Sequence, residues 1–309
     1  MTKASAGNFF EDFCLGAVLR HAVPRTISVG DVSLFSALYG MRFAMQSSDA
    51  FAQACGLSCA PLDAMLLFHV IFGKTVPDVS LNAVANLGYA ECRFLTPAWP
   101  GDSFVAESEV IGLRENSSGQ TGIVYVRSTG YNQKGEAVLS FVRWVMVKKR
   151  DTSSAAIDPV TPALAPMVDP ETLHIPPNLS LSGYDAGLAG SPNLFEDYVK
   201  GETILPIDGM TIEEAEHQIA TRLFQNTARG HFDAIVQKKS RFGRRIVYGG
   251  HVMNIARSLS FNGLQNGCFI AAINGGRHAA PAAAGDTLYC GSQVLETYAF
   301  NDRADIGAL

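Results

Sequence analysis

Two short stretches of this 309-residue chain combine residue types that could do chemistry. In Phe224-Gln225-Asn226-Thr227-Ala228-Arg229-Gly230-His231-Phe232-Asp233, an amide and an imidazole stand five residues apart. Imidazole is the side chain whose ordinary pKa suits proton transfer near neutral pH, whereas an amide orients a water or a carbonyl without exchanging a proton. Further on, Gly249-Gly250 precedes a helically spaced segment, His251–Leu264. A helix start presents unpaired N–H groups and the positive end of the dipole, and glycine allows a ligand close to that backbone. A proton carrier together with donors for a developing oxyanion is what adding water to an unsaturated thioester demands, without metal or organic cofactor. Plainer readings exist for each part: a histidine satisfied within a loop, and a glycine-rich turn before a helix.

Between the two stretches lies Lys238-Lys239-Ser240-Arg241-Phe242-Gly243-Arg244-Arg245. Arg241, Arg244 and Arg245 could meet phosphates bidentately, or the segment is simply a solvated basic loop.

The elements that must position these residues come in two copies. Asn8-Phe9-Phe10-Glu11-Asp12-Phe13 returns as Asn193-Leu194-Phe195-Glu196-Asp197-Tyr198, 185 residues later, and Thr26-Ile27 returns as Thr211-Ile212. At an offset of 184, Gly101-Asp102 meets Gly285-Asp286. Duplication of one folded unit explains this, giving a first copy over 1–150 and a second over 193–309. Between them, 151–192 holds seven of the 14 prolines without helical or strand period, and reads as an extended surface linker.

In the first copy, Ser103–Leu113, Gln120–Tyr131 and Glu136–Lys149 read as long antiparallel strands. Val79–Leu87 has apolar residues at helical spacing and reads as the helix before them, starting at Val76-Pro77-Asp78-Val79. In the second copy, Thr287–Ala299 reads as the strand after Gly285-Asp286. From its Gly-Asp pair the first copy runs 48 residues to Arg150 and the second only 23 to Leu309, so its sheet is expected to lack final strands. The fold class is α+β, a helix wrapped by a curved antiparallel sheet, twice.

Composition narrows the rest. A formal net charge of −5, without a basic face, gives no footprint for nucleic acid. There is no apolar run long enough for a membrane span and no signal-peptide core, which predicts a cytoplasmic protein. The six cysteines form no CxxC pair and no metal spacing, so simple buried thiols are expected and no metal site.

The 224–233 segment resembles the Gly-Asp-x-Asn-Pro-Leu-His segment of the MaoC-like hydratases, with His231 at the histidine position and Asn226 at that of the aspartate. Longer passages are similar to the mesaconyl-CoA hydratases among them: 21–26, 72–77, 80–89, 141–150 and 244–251. The resemblance implies a double hot-dog fold and a hydro-lyase that reversibly hydrates mesaconyl-CoA to β-methylmalyl-CoA in central carbon assimilation. It further implies that His231 moves the proton, that Asn226 orients water or thioester, and that Gly249 and Gly250 form the oxyanion site.

In the first copy the offset places Gln46 opposite His231 and Met41 opposite Asn226, so that half resembles the non-catalytic half, which shapes the acyl pocket. One active site per chain follows, with Gln46, Arg229, Arg241, Arg244 and Arg245 as substrate-binding candidates. The resemblance implies an acyl-CoA as partner, coenzyme A being part of the substrate, and a homo-oligomer is expected. For the acyl carboxylate, Arg42, Arg93, Arg229, Arg257 and Arg277 are equal candidates. A straight-chain enoyl-CoA hydratase, a thioesterase and an inactive acyl-CoA-binding subunit are the competing readings.

Overall fold

The computed structural model describes residues 3–154 and 157–309; of the expected linker, 155 and 156 lie outside the described residues. Each copy is built on one helix, and the two helices differ in a way that hydropathy explains. In the first copy Ala64–Thr75 (AMLLFHVIFGKT) is apolar almost all round, and its residues from Met65 to Thr75 are all buried. A helix with neighbours on every side carries no amphipathic stripe.

The first copy runs β1 (Val18–Thr26), α1 (Val29–Tyr39), α2 (Ala44–Ser47), α3 (Asp49–Ala54) and α4 (Ala64–Thr75). It continues through β2 (Ala83–Phe94), β3 (Ser103–Glu115), β4 (Thr121–Tyr131) and β5 (Ala137–Lys148). Strands β3, β4 and β5 lie where the sequence places them. The helix expected over Val79–Leu87 does not form: a π-helical turn, Val76–Ser80, ends α4, and Ala83 opens β2. The periodic spacing there was coincidental, since strand pairing of β2 on both sides outweighs it. Val76–Val79 is therefore the end of the central helix. Its start is Asp63-Ala64, where the Asp63 carboxylate accepts from Met65 N. Like the expected start, it has no glycine pair.

The linker contributes α5 (Ala186–Ala189) and a bridge from Val160 to Leu113, and buries Val168, Leu179 and Ala189. These contacts tie the extended path down. The second copy then opens with β6 (Thr203–Ile204) and β7 (Gly209–Thr211), followed by α6 (Glu214–Leu223), α7 (Arg229–Phe232), α8 (Ala234–Lys238) and α9 (Gly249–Leu259). The 185-residue offset carries α2 onto α7 and the start of α4 onto the start of α9. Short strands follow: β8 (Ala272–Gly276), β9 (Thr287–Tyr289), β10 (Ser292–Gln293), β11 (Tyr298–Ala299) and β12 (Gly307–Ala308). The single strand expected over Thr287–Ala299 is thus broken into pieces. Among the described residues no strand of the second copy exceeds five residues, while β1 to β5 run from 9 to 13.

The main sheet is antiparallel with order β1-β3-β4-β5-β2-β8, so it passes from one copy into the other through β2 and β8. One apolar core likewise spans both, joining Leu66, Phe68 and Phe72 of α4 to Phe224, Tyr248 and Ile255. All six cysteines are free, and Cys14 is exposed against the expectation of burial; Cys55 and Cys92 are buried. No helix among the described residues is long and apolar enough to cross a membrane.

Candidate active site at the start of the second central helix

His231 lies on α7 with its ring against Tyr248, the centroids 5.6 Å apart. Its Nδ1 donates to the Ile246 carbonyl at 3.1 Å, and Gln218 Nε2 donates to the His231 carbonyl at 2.6 Å. A carbonyl can only accept, so Nδ1 carries the hydrogen and Nε2 keeps its lone pair. Burial lowers the pKa to about 4, with His217 and His278 adding repulsion against the charged form and the Ile246 bond opposing them. The imidazole is consequently a neutral base at neutral pH.

Asn226 is buried, and its Oδ1 accepts from Ala228 N at 3.0 Å while its own N–H donates to Thr221 O at 3.0 Å. Its carbonyl oxygen thus holds the turn that leads into α7.

Helix α9 begins at Gly249, two residues before the expected start, and its N-cap residue Tyr248 makes no side-chain cap. The Gly249 and Gly250 N–H groups have no partner within the helix, while His251 N already donates to Tyr248 O at 2.8 Å. Both glycines are required by crowding: a Cβ on Gly249 would overlap the His278 ring, and one on Gly250 would stand 2.5 Å from His69 Cε1.

Five of the chain's seven histidines gather in this region, and each is held by a named neighbour. His69 Nδ1 from α4 shares a hydrogen bond with the Tyr248 hydroxyl at 3.1 Å, His251 Nδ1 with Tyr39 at 3.0 Å, and His278 Nε2 with Tyr89 at 3.0 Å. His217 Nε2 lies 3.3 Å from Glu214. Burial lowers the pKa of every one, to about 3 for His69 and about 4 for His251. Asn254 is fully buried with both amide atoms unpaired. Among the described residues no three His, Cys, Asp or Glu side chains converge as metal ligands. Sequence reasoning missed Tyr248, which directly precedes the glycine pair, and also His69, Tyr89 and His278, which carry no local motif.

The first copy holds Gln46 elsewhere. Its Nε2 donates to Cys268 O at 2.7 Å, and its buried Oε1 is unpaired. It faces a cavity of about 70 Å³ lined also by Asp63, Leu67, Phe94, Arg257 and Phe269, away from His231. Burial raises the Asp63 carboxyl, and the Arg257 guanidinium opposes that rise. Met41 packs on the core. Of the basic candidates, Arg229, Arg241 and Arg244 are exposed, Arg241 over the Phe242 ring at 4.6 Å. Arg245 pairs with Glu214 and donates to Phe232 O, so its fork is already engaged.

Comparison with known proteins agrees with this architecture. The sequence profile of mesaconyl-CoA hydratases matches residues 2–176. The β-methylmalyl-CoA dehydratase of Chloroflexus aurantiacus is 56% identical over 307 residues, 99% of this chain and 87% of that protein. The mesaconyl-CoA hydratase of Cereibacter sphaeroides is also 56% identical, over 99% of this chain and 88% of its own length. A crystal structure of a MaoC domain protein dehydratase from Chloroflexus aurantiacus superimposes with a TM-score of 0.97 at 55% identity, covering 99% of this chain and 88% of that one. A Mycobacterium tuberculosis protein with a double hot-dog fold, RV0216, superimposes at 0.76 and 25% identity, over 96% of this chain and 88% of its own. Fold and site together define a MaoC-like double hot-dog protein. Within that class, the chain belongs to the mesaconyl-CoA hydratase family.

Proposed function

We propose that this protein is a hydro-lyase that reversibly hydrates mesaconyl-CoA to β-methylmalyl-CoA. The observation that carries the reaction is the neutral His231, its Nε2 free, beside the uncapped start of α9. The substrate follows the two relatives at 56% identity, one named for each direction of the reaction. In this reading the thioester oxygen takes hydrogen bonds from the Gly249 and Gly250 N–H groups, which stabilise the enolate as it forms. His231 Nε2 takes a proton from water as the water oxygen bonds to the carbon bearing the free carboxylate. The enolate electron pair then takes a proton at the α-carbon, returned by His231, and the catalyst is restored.

The test is recombinant protein assayed in parallel with mesaconyl-CoA and crotonyl-CoA, following loss of the enoyl absorbance and release of free thiol. Hydration of mesaconyl-CoA in preference to crotonyl-CoA, without thiol, is expected. Thiol release, or inertness toward mesaconyl-CoA, overturns the reading.

A further inference from the structure

Arg143 on β5 is the one arginine among the described residues that is wholly buried. Its Nη2 donates to Thr75 Oγ1 at 2.7 Å and its Nη1 to Ser80 Oγ at 3.3 Å, both neutral hydroxyls, and its Nε has no partner. The guanidinium lies over the Phe72 ring, Cζ 4.4 Å from the centroid. Among the described residues it forms no ion pair with a carboxylate. The titratable groups that face it are the phenols of Tyr89 and Tyr248, and His21 lies within its field. Burial lowers its pKa to about 10, which leaves it cationic at neutral pH. A cation taken out of water without a counter-charge is costly, and such a group calls for an explanation outside the stability of the fold.

Its position supplies one. The Phe72 ring lies 5.7 Å from that of Tyr248 and 6.1 Å from that of Tyr89. Tyr248 leads into the glycine pair, and Tyr89 holds His278 against Gly249. Arg143 therefore sits one aromatic ring from the start of α9. Arg257, partly buried, faces the cavity at Gln46 and already has Asp63 beside it. Resting on the hydratase reading above, we infer that Arg143 is the counter-charge for the free carboxylate of the substrate acyl group. This residue then selects a dicarboxylic acyl-CoA over a monocarboxylic one.

The test separates this inference from the activity itself by reading binding of two unreactive thioethers, S-(3-carboxypropyl)-CoA and S-butyl-CoA, by calorimetry. The unmodified protein should prefer the carboxylated compound, and Arg143→Met should reduce that preference roughly 10- to 100-fold, the worth of a charge-assisted hydrogen bond. Arg143→Lys keeps the charge without the fork and should retain part of the preference. It also serves if the Met variant fails to fold. Equal weakening of both thioethers, or no preference in the unmodified protein, overturns the inference, while mesaconyl-CoA hydration by that same protein leaves the hydratase reading standing.

Discussion

The Tyr248 hydroxyl and Nδ1 of His69 lie 3.1 Å apart, a bond between the two copies of the repeat. His69 is at the middle of α4 and wholly buried, while Tyr248 is the residue before α9. Tyr248→Phe leaves the His69 nitrogen buried and unpaired, which should cost about 1–3 kcal/mol of stability. Thermal denaturation checks this; an unchanged Tm shows that the bond does not hold the helix start in place.

His231→Ala should lose roughly 10²- to 10⁴-fold in turnover, the usual worth of a positioned acid/base group. The acid limb of kcat/KM should lie near the lowered value of about 4 and not near 6.5, because burial keeps the ring neutral through that interval. A limb at 6.5 in a pH–rate profile contradicts the assignment.

Asn226 separates holding a turn from exchanging a proton. Aspartate can accept from Ala228 N as Asn226 Oδ1 does, so Asn226→Asp should keep much of the activity. Asn226→Ala should lose it along with the turn. Similar rates for the two variants argue against any role for the side-chain oxygen.

Gly249→Ala places a Cβ on the His278 ring, and overpacking of this kind costs about 1–3 kcal/mol. Adding His278→Ala should recover a large part of the lost Tm. If the double variant is no more stable than Gly249→Ala alone, the crowding lies elsewhere.

Stability should fall on mild acidification. His69, His231 and His251 have pKa values lowered from 6.5 to about 3, 4 and 4. Below pH 6.5 the unfolded chain therefore binds more protons than the folded one, and the stability present above that pH is lost progressively toward pH 4. Each such histidine contributes a slope of up to about 1.4 kcal/mol per pH unit. Denaturant unfolding from pH 7.5 to 5 measures it, and His69→Phe should flatten the dependence; an equal slope in that variant removes His69 as a source.

What the sequence determined by itself is whatever repeats or is local. The 185-residue offset shows the duplicated unit, and runs rich in Val, Ile, Phe and Tyr mark β3 to β5. His231 and the Gly249-Gly250 pair were legible because a short segment and a helix start carry their own spacing. Helix α4 was not legible, since a helix buried on all sides loses the stripe by which a helix is read. Arg143, Tyr89 and His69 were equally silent, because their parts depend on neighbours far away in the chain. Arg143 stands on β5 and is held by Thr75 and Ser80, and Tyr89 reaches His278 across 189 residues. Only the packing of one copy against the other brings these groups to the start of α9, and burial there is what keeps the histidines neutral and leaves a guanidinium without its counter-charge.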